Sequence, residues 1–157
     1  MNLVVVGVVA GVLGTVVMDL GNFLLSRAGV ISRIHMGMLG RWARGWTRGR
    51  FRYGHPSEME EIANEVLYGF VTHYSIGVGL AVSYVLGWDL LVGGPASPLW
   101  AVAYGVATTV APWFLTYPSV GFGALGMRSP EGLKAPISSL VNHLFYGLGI
   151  AAGIALV

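Results

Sequence analysis

Cysteine is absent from the 157 residues. That excludes disulfides, thiolate metal sites and a cysteine nucleophile. Charge is scarce: 10% of residues are Asp, Glu, Lys or Arg, against 55% hydrophobic. With a mean hydropathy of +0.70, the chain is too apolar for a soluble domain of its size. It reads as one integral membrane domain over residues 1–157. The sequence has no H-E-x-x-H, no G-x-S-x-G and no phosphate loop, and Ser75 and Ser139 lack a triad arrangement; nothing indicates hydrolase chemistry. No basic n-region precedes the apolar run from Leu3 through Asp19 to Leu25, so this run reads as a retained span rather than a cleaved signal.

What is present is four apolar stretches, roughly 3–25, 66–88, 97–117 and 136–157, each near the 20 or so residues that a spanning helix needs. The fold class is therefore all-α, a polytopic four-helix membrane bundle. Ser57 and Glu60 form a capping-box pattern, which starts the second helix near residue 58. The basic residues are segregated. Seven of nine lie in the connection before the second span (Arg27, Arg33, Arg41, Arg44, Arg48, Arg50, Arg52), and Arg128 and Lys134 lie in 118–135. The 89–96 connection has none. By the positive-inside rule, loops 26–65 and 118–135 are cytoplasmic and both termini are outside. A basic patch flanked by spans suits a membrane surface and not nucleic acid. Ile34, Met38, Leu39, Trp42 and Trp46 recur at helical spacing among the arginines, which suits an interfacial helix. Gly37, Gly40, Gly45 and Gly49 predict short or broken pieces. The segment is either a topology signal with interfacial tryptophans or a surface for anionic lipids or another anion, carried by Arg33, Arg41, Arg44, Arg48, Arg50, Trp42 and Trp46. His35 and His55 in this loop read as solvated.

Two spans carry one polar signature. Residues 73–81 read H-x-x-x-G-x-G-L-A, and 143–151 read H-x-x-x-G-x-G-I-A. The match suggests two duplicated hairpins. It is clear for the second and fourth spans and weak for the first and third, where Thr15-x-Val17 aligns with Thr108-x-Val110. An ionisable group in a span is by default a functional hypothesis. At 1.5 Å per residue, His73 and His143 fall roughly 10 Å below the cytoplasmic ends of their helices. Asp19, on the antiparallel first helix, reaches the same layer, as do Thr108, Thr109 and Pro112 on the third. Stripes of small and polar residues converge there: Gly7, Gly11, Thr15, Asp19 and Asn22; Glu65, Gly69, His73, Gly77 and Ala81; Ala101, Gly105, Thr108 and Pro112; Ser139, Asn142, His143, Tyr146, Gly149 and Gly153. Small residues let membrane helices approach closely, and polar ones turn inward. The Gly-x-Gly pairs read as packing notches between the second and fourth spans. Pro112 removes a backbone donor and frees the carbonyl near Thr108. Glu65 either pairs with a loop arginine or guards access to the layer.

The candidate ligand-binding or relay residues are Asp19, His73, His143, Asn22, Thr108, Asn142 and Tyr146. Asp19, His73 and His143 could together hold a divalent metal. The two histidines could instead ligate haem b axially, or Asp and His could relay protons or ions without a cofactor. The plainer alternative is that these groups only lock helices together. The leading reading is a non-enzymatic protein that binds, senses or conducts a small ligand or ion. The competing readings are a haem or metal redox subunit or enzyme, and an accessory structural subunit. A homo-oligomer or a larger membrane complex is compatible with each.

Met18-Asp19-Leu20, Gly40-Arg41-Trp42, Gly49-Arg50-Phe51, His73-Tyr74-x-Ile76-Gly77, Ala111-Pro112, Pro118-x-x-Gly121-x-Gly123, Ser129-Pro130 and Ser139-Leu140-x-x-His143-x-x-x-Gly147 resemble a family of small bacterial integral membrane proteins, a domain of unknown function. The likeness runs in order over nearly the whole chain. It implies a four-span protein of the bacterial inner membrane, and it brings no activity, cofactor or catalytic residue with it.

Overall fold

Asn2 opens the first helix: its side-chain oxygen accepts the Val4 N–H at 2.9 Å, satisfying one of the donors a helix start leaves free. The computed structural model describes residues 2–157, all-helical with no strand among them. Helix α1 (Leu3–Arg27) is followed by α2 (Met36–Thr47), α3 (Glu65–Leu91), α4 (Pro98–Ala107), a π-helical segment Pro112–Thr116, the single turn α5 (Tyr117–Ser119) and α6 (Lys134–Ala155). Four stretches are long and apolar enough to cross a membrane: Leu3–Arg27, Glu65–Leu91, Pro98–Ser119 and Lys134–Ala155. They are the four expected spans, shifted by a few residues at the ends.

The packing is inverted relative to a water-soluble domain. Ala10, Thr15, Ala81 and Ala101 are completely buried, while Leu20, Leu24 and Leu67 are more than half exposed. Large apolar patches of this kind mark a surface made for something other than water. Inside, glycines set the spacing. A Cβ on Gly11 would stand 2.6 Å from the Val78 Cα, and one on Gly153 would stand 2.6 Å from the Ala10 Cα. So α1 lies in close contact with both α3 and α6, and α4 closes on α6. Spans α3 and α6 sit diagonally. The paired glycines therefore do not bring those two helices together. Gly77 faces Thr15 of α1, Gly147 faces Val102 of α4, Gly149 faces Gly14 of α1, and Gly79 faces open space.

The arginine-rich connection differs from expectation in three respects. Helix α2 is one continuous helix despite its glycines, because those glycines are its contact face. A Cβ on Gly40 would meet the Glu65 carbonyl oxygen, and one on Gly69 would meet the Met36 carbonyl oxygen. Packing against α3 outweighs the weak helix propensity of glycine, about 1 kcal/mol per residue. Second, Trp42 is not an interfacial anchor. It is buried with Tyr53, Met59 and Val120, and its Nε1–H donates to the Ser119 Oγ at 2.6 Å; Trp46 remains exposed. Third, no capping box starts α3. Ser57 lies in a short 3₁₀ turn, Pro56–Glu58, and Glu60 pairs with Arg48. Helix α3 begins at Glu65 after Asn64, whose backbone is left-handed at φ 57°. That conformation is one Asn tolerates better than most residues.

The third span loses its regular hydrogen-bond ladder around Pro112, which lacks a backbone donor. The Thr109 N–H bonds the Val106 oxygen, and the Ala111 N–H bonds the Thr108 oxygen, tightening the turn before the π-helical segment. The carbonyl near Thr108 is thus occupied. The one released from its usual i+4 partner is that of Gly105, which instead accepts the Thr108 hydroxyl at 2.6 Å.

Candidate functional site

The residues expected in the polar layer join the helices pairwise. On α1, Thr15 and Asp19 are one turn apart and share a face. On α3, His73 and Gly77 do the same. The two faces meet rung by rung. Asp19 Oδ1 lies 2.9 Å from His73 Nε2, and a Cβ on Gly77 would collide with the Thr15 Oγ1. The absence of that Cβ lets the backbones approach closely enough for the Asp19–His73 bond. The Thr15 hydroxyl donates back to the Gly11 carbonyl at 2.8 Å. The Tyr146 hydroxyl, from α6, donates to the Gly77 carbonyl and ties the fourth span to this rung. The Asp19 and His73 side chains retain 24% and 11% exposure, so both are largely but not wholly enclosed. The Tyr74 hydroxyl also stands beside the Asp19 carboxylate.

His143 does not join that pair. Its Nδ1 lies 2.8 Å from the Thr108 Oγ1. The Thr108 hydroxyl also bonds the Gly105 carbonyl; the tautomer that satisfies both contacts has His143 Nδ1–H donating and Nε2 as an acceptor. The repeat thus has a physical counterpart. In each hairpin the histidine reaches the span before it, His73 to Asp19 and His143 to Thr108, and the glycine four residues later touches that same span. The structural equivalence pairs Thr108 with Asp19, one turn away from the Thr15 match that the sequence alignment gives.

The third interhelix link is amide to amide. Asn22 Nδ2 donates to the Asn142 Oδ1 at 3.1 Å and to the Ser32 carbonyl at 3.0 Å, and Asn22 Oδ1 accepts the Ile34 N–H at 3.2 Å. These two residues fix the α1–α2 connection to α6.

One expected arrangement is corrected. Asp19, His73 and His143 do not form a three-ligand metal set; among the described residues no group of three or more His, Asp or Glu side chains is placed to hold a metal ion. The reason is the divided pairing just described. Axial haem ligation by both histidines is also poorly matched, since Asp19 already engages His73 Nε2.

Two turns of α3 before His73, Glu65 accepts a bidentate pair from Arg41, Nε to Oε2 at 2.5 Å and Nη2 to Oε1 at 3.0 Å. The Glu65 carboxylate holds the Arg41 guanidinium above its ordinary value. Arg50 pairs with Glu58 at 2.9 Å, as Arg48 does with Glu60. Three of the five arginines expected to face an anion are therefore committed to carboxylates of the same connection. Sequence reasoning missed Ser119, which holds Trp42 and whose carbonyl accepts the Tyr53 N–H at 2.8 Å. No spacing signal marks such a long-range partner. It also passed over Tyr74, whose position next to His73 was the available signal.

The chain from residue 8 to 157 matches the family model described as "Protein of unknown function (DUF2938)". The chain belongs to this family. The match takes in the basic connection, both histidine repeats and the α1 face that carries Asp19, so the DUF2938 unit is the whole bundle and not one hairpin of it. Neither the curated proteins nor the solved structures contain a match to the chain.

Proposed function

We propose that this DUF2938 protein is a non-enzymatic, multi-pass protein of the bacterial inner membrane that takes up and passes on protons, or a small ion coupled to them, through the Asp19–His73 couple. The observation that carries the reading is the 2.9 Å contact between Asp19 Oδ1 and His73 Nε2 within two spanning helices. A carboxylate and an imidazole so placed exchange a proton with little movement, and each stabilises the other's charge away from water. Asp19 keeps part of its surface exposed, so the couple is not sealed within the bundle. His143 and Tyr146 extend the polar layer toward α4 and α6. The orientation follows the arginines, with the basic end in the cytoplasm and both termini outside. It is supported by the contacts that put both basic connections at one end of the bundle: Trp42 to Ser119, and Ser32 to Glu131 at 2.9 Å.

The test is proton movement in vesicles that contain the purified protein and trap a pH-sensitive dye, with a potassium diffusion potential as driving force. Wild type acidifies or alkalinises the lumen at a rate proportional to protein. Asp19→Asn and His73→Gln reduce that rate at least to roughly a tenth, below even the lower end of what a positioned acid–base group contributes in catalysis, while Glu58→Gln leaves it unchanged. An Asp19→Asn protein as fast as wild type contradicts the proposal.

A further inference from the structure

A cleft of about 420 Å³ opens where α1 ends and α6 begins, lined by Phe23, Arg27, Ser32, Arg33, Glu131 and Lys134 among others. We propose that it is a binding site for the headgroup of an anionic phospholipid, with the phosphate held by Arg27, Arg33 and Lys134. This inference is independent of the Asp19–His73 reading.

The cations that line this cleft are not spent on carboxylates, as several on the basic end are. Arg41, Arg48 and Arg50 are each joined to a glutamate. Among the described residues, Arg27, Arg33 and Lys134 have no carboxylate within salt-bridge distance. The acidic group in the wall, Glu131, accepts the Ser32 hydroxyl at 2.9 Å. Three cations against one anion leave the cleft positive, and guanidinium and ammonium groups are the donors that phosphate recognition uses.

The floor is fixed. The Ser32 N–H donates to the Ser138 Oγ at 2.7 Å, and the Ser32 carbonyl is held by Asn22. The Arg27 guanidinium carbon stands 5.5 Å from the centre of the Phe23 ring, within range of a cation–π contact that keeps the cation at the cleft.

The position selects a lipid over a soluble phosphate. Arg27 is the last residue of one apolar span and Lys134 the first of another, the level at which headgroups lie when those spans cross a bilayer. Exposed apolar side chains adjoin the cations along both helices: Phe23 at 49%, Leu24 at 57%, Leu133 at 66% and Ile137 at 56% exposure. A positive cleft above an apolar wall fits a phosphate carrying acyl chains. A soluble phosphate would use only the cleft.

The experiment is native mass spectrometry of the purified protein in a neutral detergent with added phosphatidylglycerol or phosphatidylcholine. Wild type retains phosphatidylglycerol in preference to phosphatidylcholine. Each cation contributes about 1 kcal/mol toward an anionic lipid, roughly fivefold in affinity. Arg27→Gln/Arg33→Gln/Lys134→Gln therefore binds roughly a hundredfold more weakly, and Arg33→Gln alone about fivefold, which keeps the test open if the triple variant does not fold. Arg52→Gln/Arg128→Gln removes two charges away from the cleft and retains wild-type binding. A loss of binding in that double variant, wild-type binding by Arg33→Gln, or equal retention of both lipids overturns the site. Displacement of phosphatidylglycerol by millimolar glycerol phosphate overturns the choice of a lipid in favour of a soluble phosphate ester.

Discussion

His73→Ala is expected to lower stability by about 3 kcal/mol, the upper end of the usual cost of leaving an enclosed polar group without its hydrogen-bond partner. The variant leaves the largely shielded Asp19 carboxylate facing a void on α3, with only the neighbouring Tyr74 hydroxyl to serve it. Replacing both groups by apolar ones removes the stranded charge, so Asp19→Leu/His73→Leu should recover most or all of the lost stability. The double variant should nevertheless move no protons in vesicles. Thermal unfolding in mild detergent of wild type, both single variants and the pair gives the coupling directly. A purely structural Asp19–His73 pair predicts recovery of stability with transport never present in any of the four proteins; the proton-carrying reading predicts stability and transport to separate in the double variant.

Gly105→Leu is expected to be at least as damaging, on the order of 3 kcal/mol from overpacking alone. A Cβ at residue 105 would lie 2.6 Å from the Gly147 nitrogen and closer still to the Gly147 Cα. These are backbone atoms that cannot rotate away, so α4 must move off α6. The movement also separates Thr108 from His143, because Gly105, Thr108 and His143 form one hydrogen-bonded group. Gly79→Leu serves as the contrast: nothing lies within 4 Å of a Cβ there, and unfolding in detergent should be unchanged. The two glycines look alike in composition and differ only in what faces them.

That contrast marks what could be read from the sequence. The spans were legible because an uninterrupted apolar run of bilayer length is rare outside membrane helices. The inward faces were legible because small and polar residues repeat every four positions on α1 and α3, and the bundle puts those two stripes in register from Gly7 to Asp19. The pairing within the layer was not legible. Depth along a helix follows from residue count, whereas which neighbour a side chain meets depends on helix order around the bundle. With α3 and α6 on a diagonal, His73 turns to α1 and His143 to α4. The equal depth that suggested a three-residue metal set conceals two separate pairs. The fate of the arginines was hidden for a related reason. In sequence, Glu58, Glu60 and Glu61 read as favourable charges at a helix start, and only Glu65 reads as a partner for a loop arginine. In the folded chain α2 lies alongside that segment, and the same carboxylates bind Arg41, Arg48 and Arg50. The cations left over near the cleft are Arg27 and Arg33, at and just after the end of α1, and Lys134 at the start of α6, which proximity in sequence does not connect to them.

The proposed proton transfer requires Asp19 and His73 to be one couple in the bilayer. Solid-state NMR of the protein in lipid, with histidine ring nitrogens and aspartate carboxyl carbons labelled, measures that pairing directly. The expected result is a through-space correlation from the His73 Nε2 to the Asp19 carboxyl carbon, lost in Asp19→Asn, and none from either His143 ring nitrogen to Asp19. A His73 ring without that correlation, or a His143 ring that shows it, would contradict the pairing.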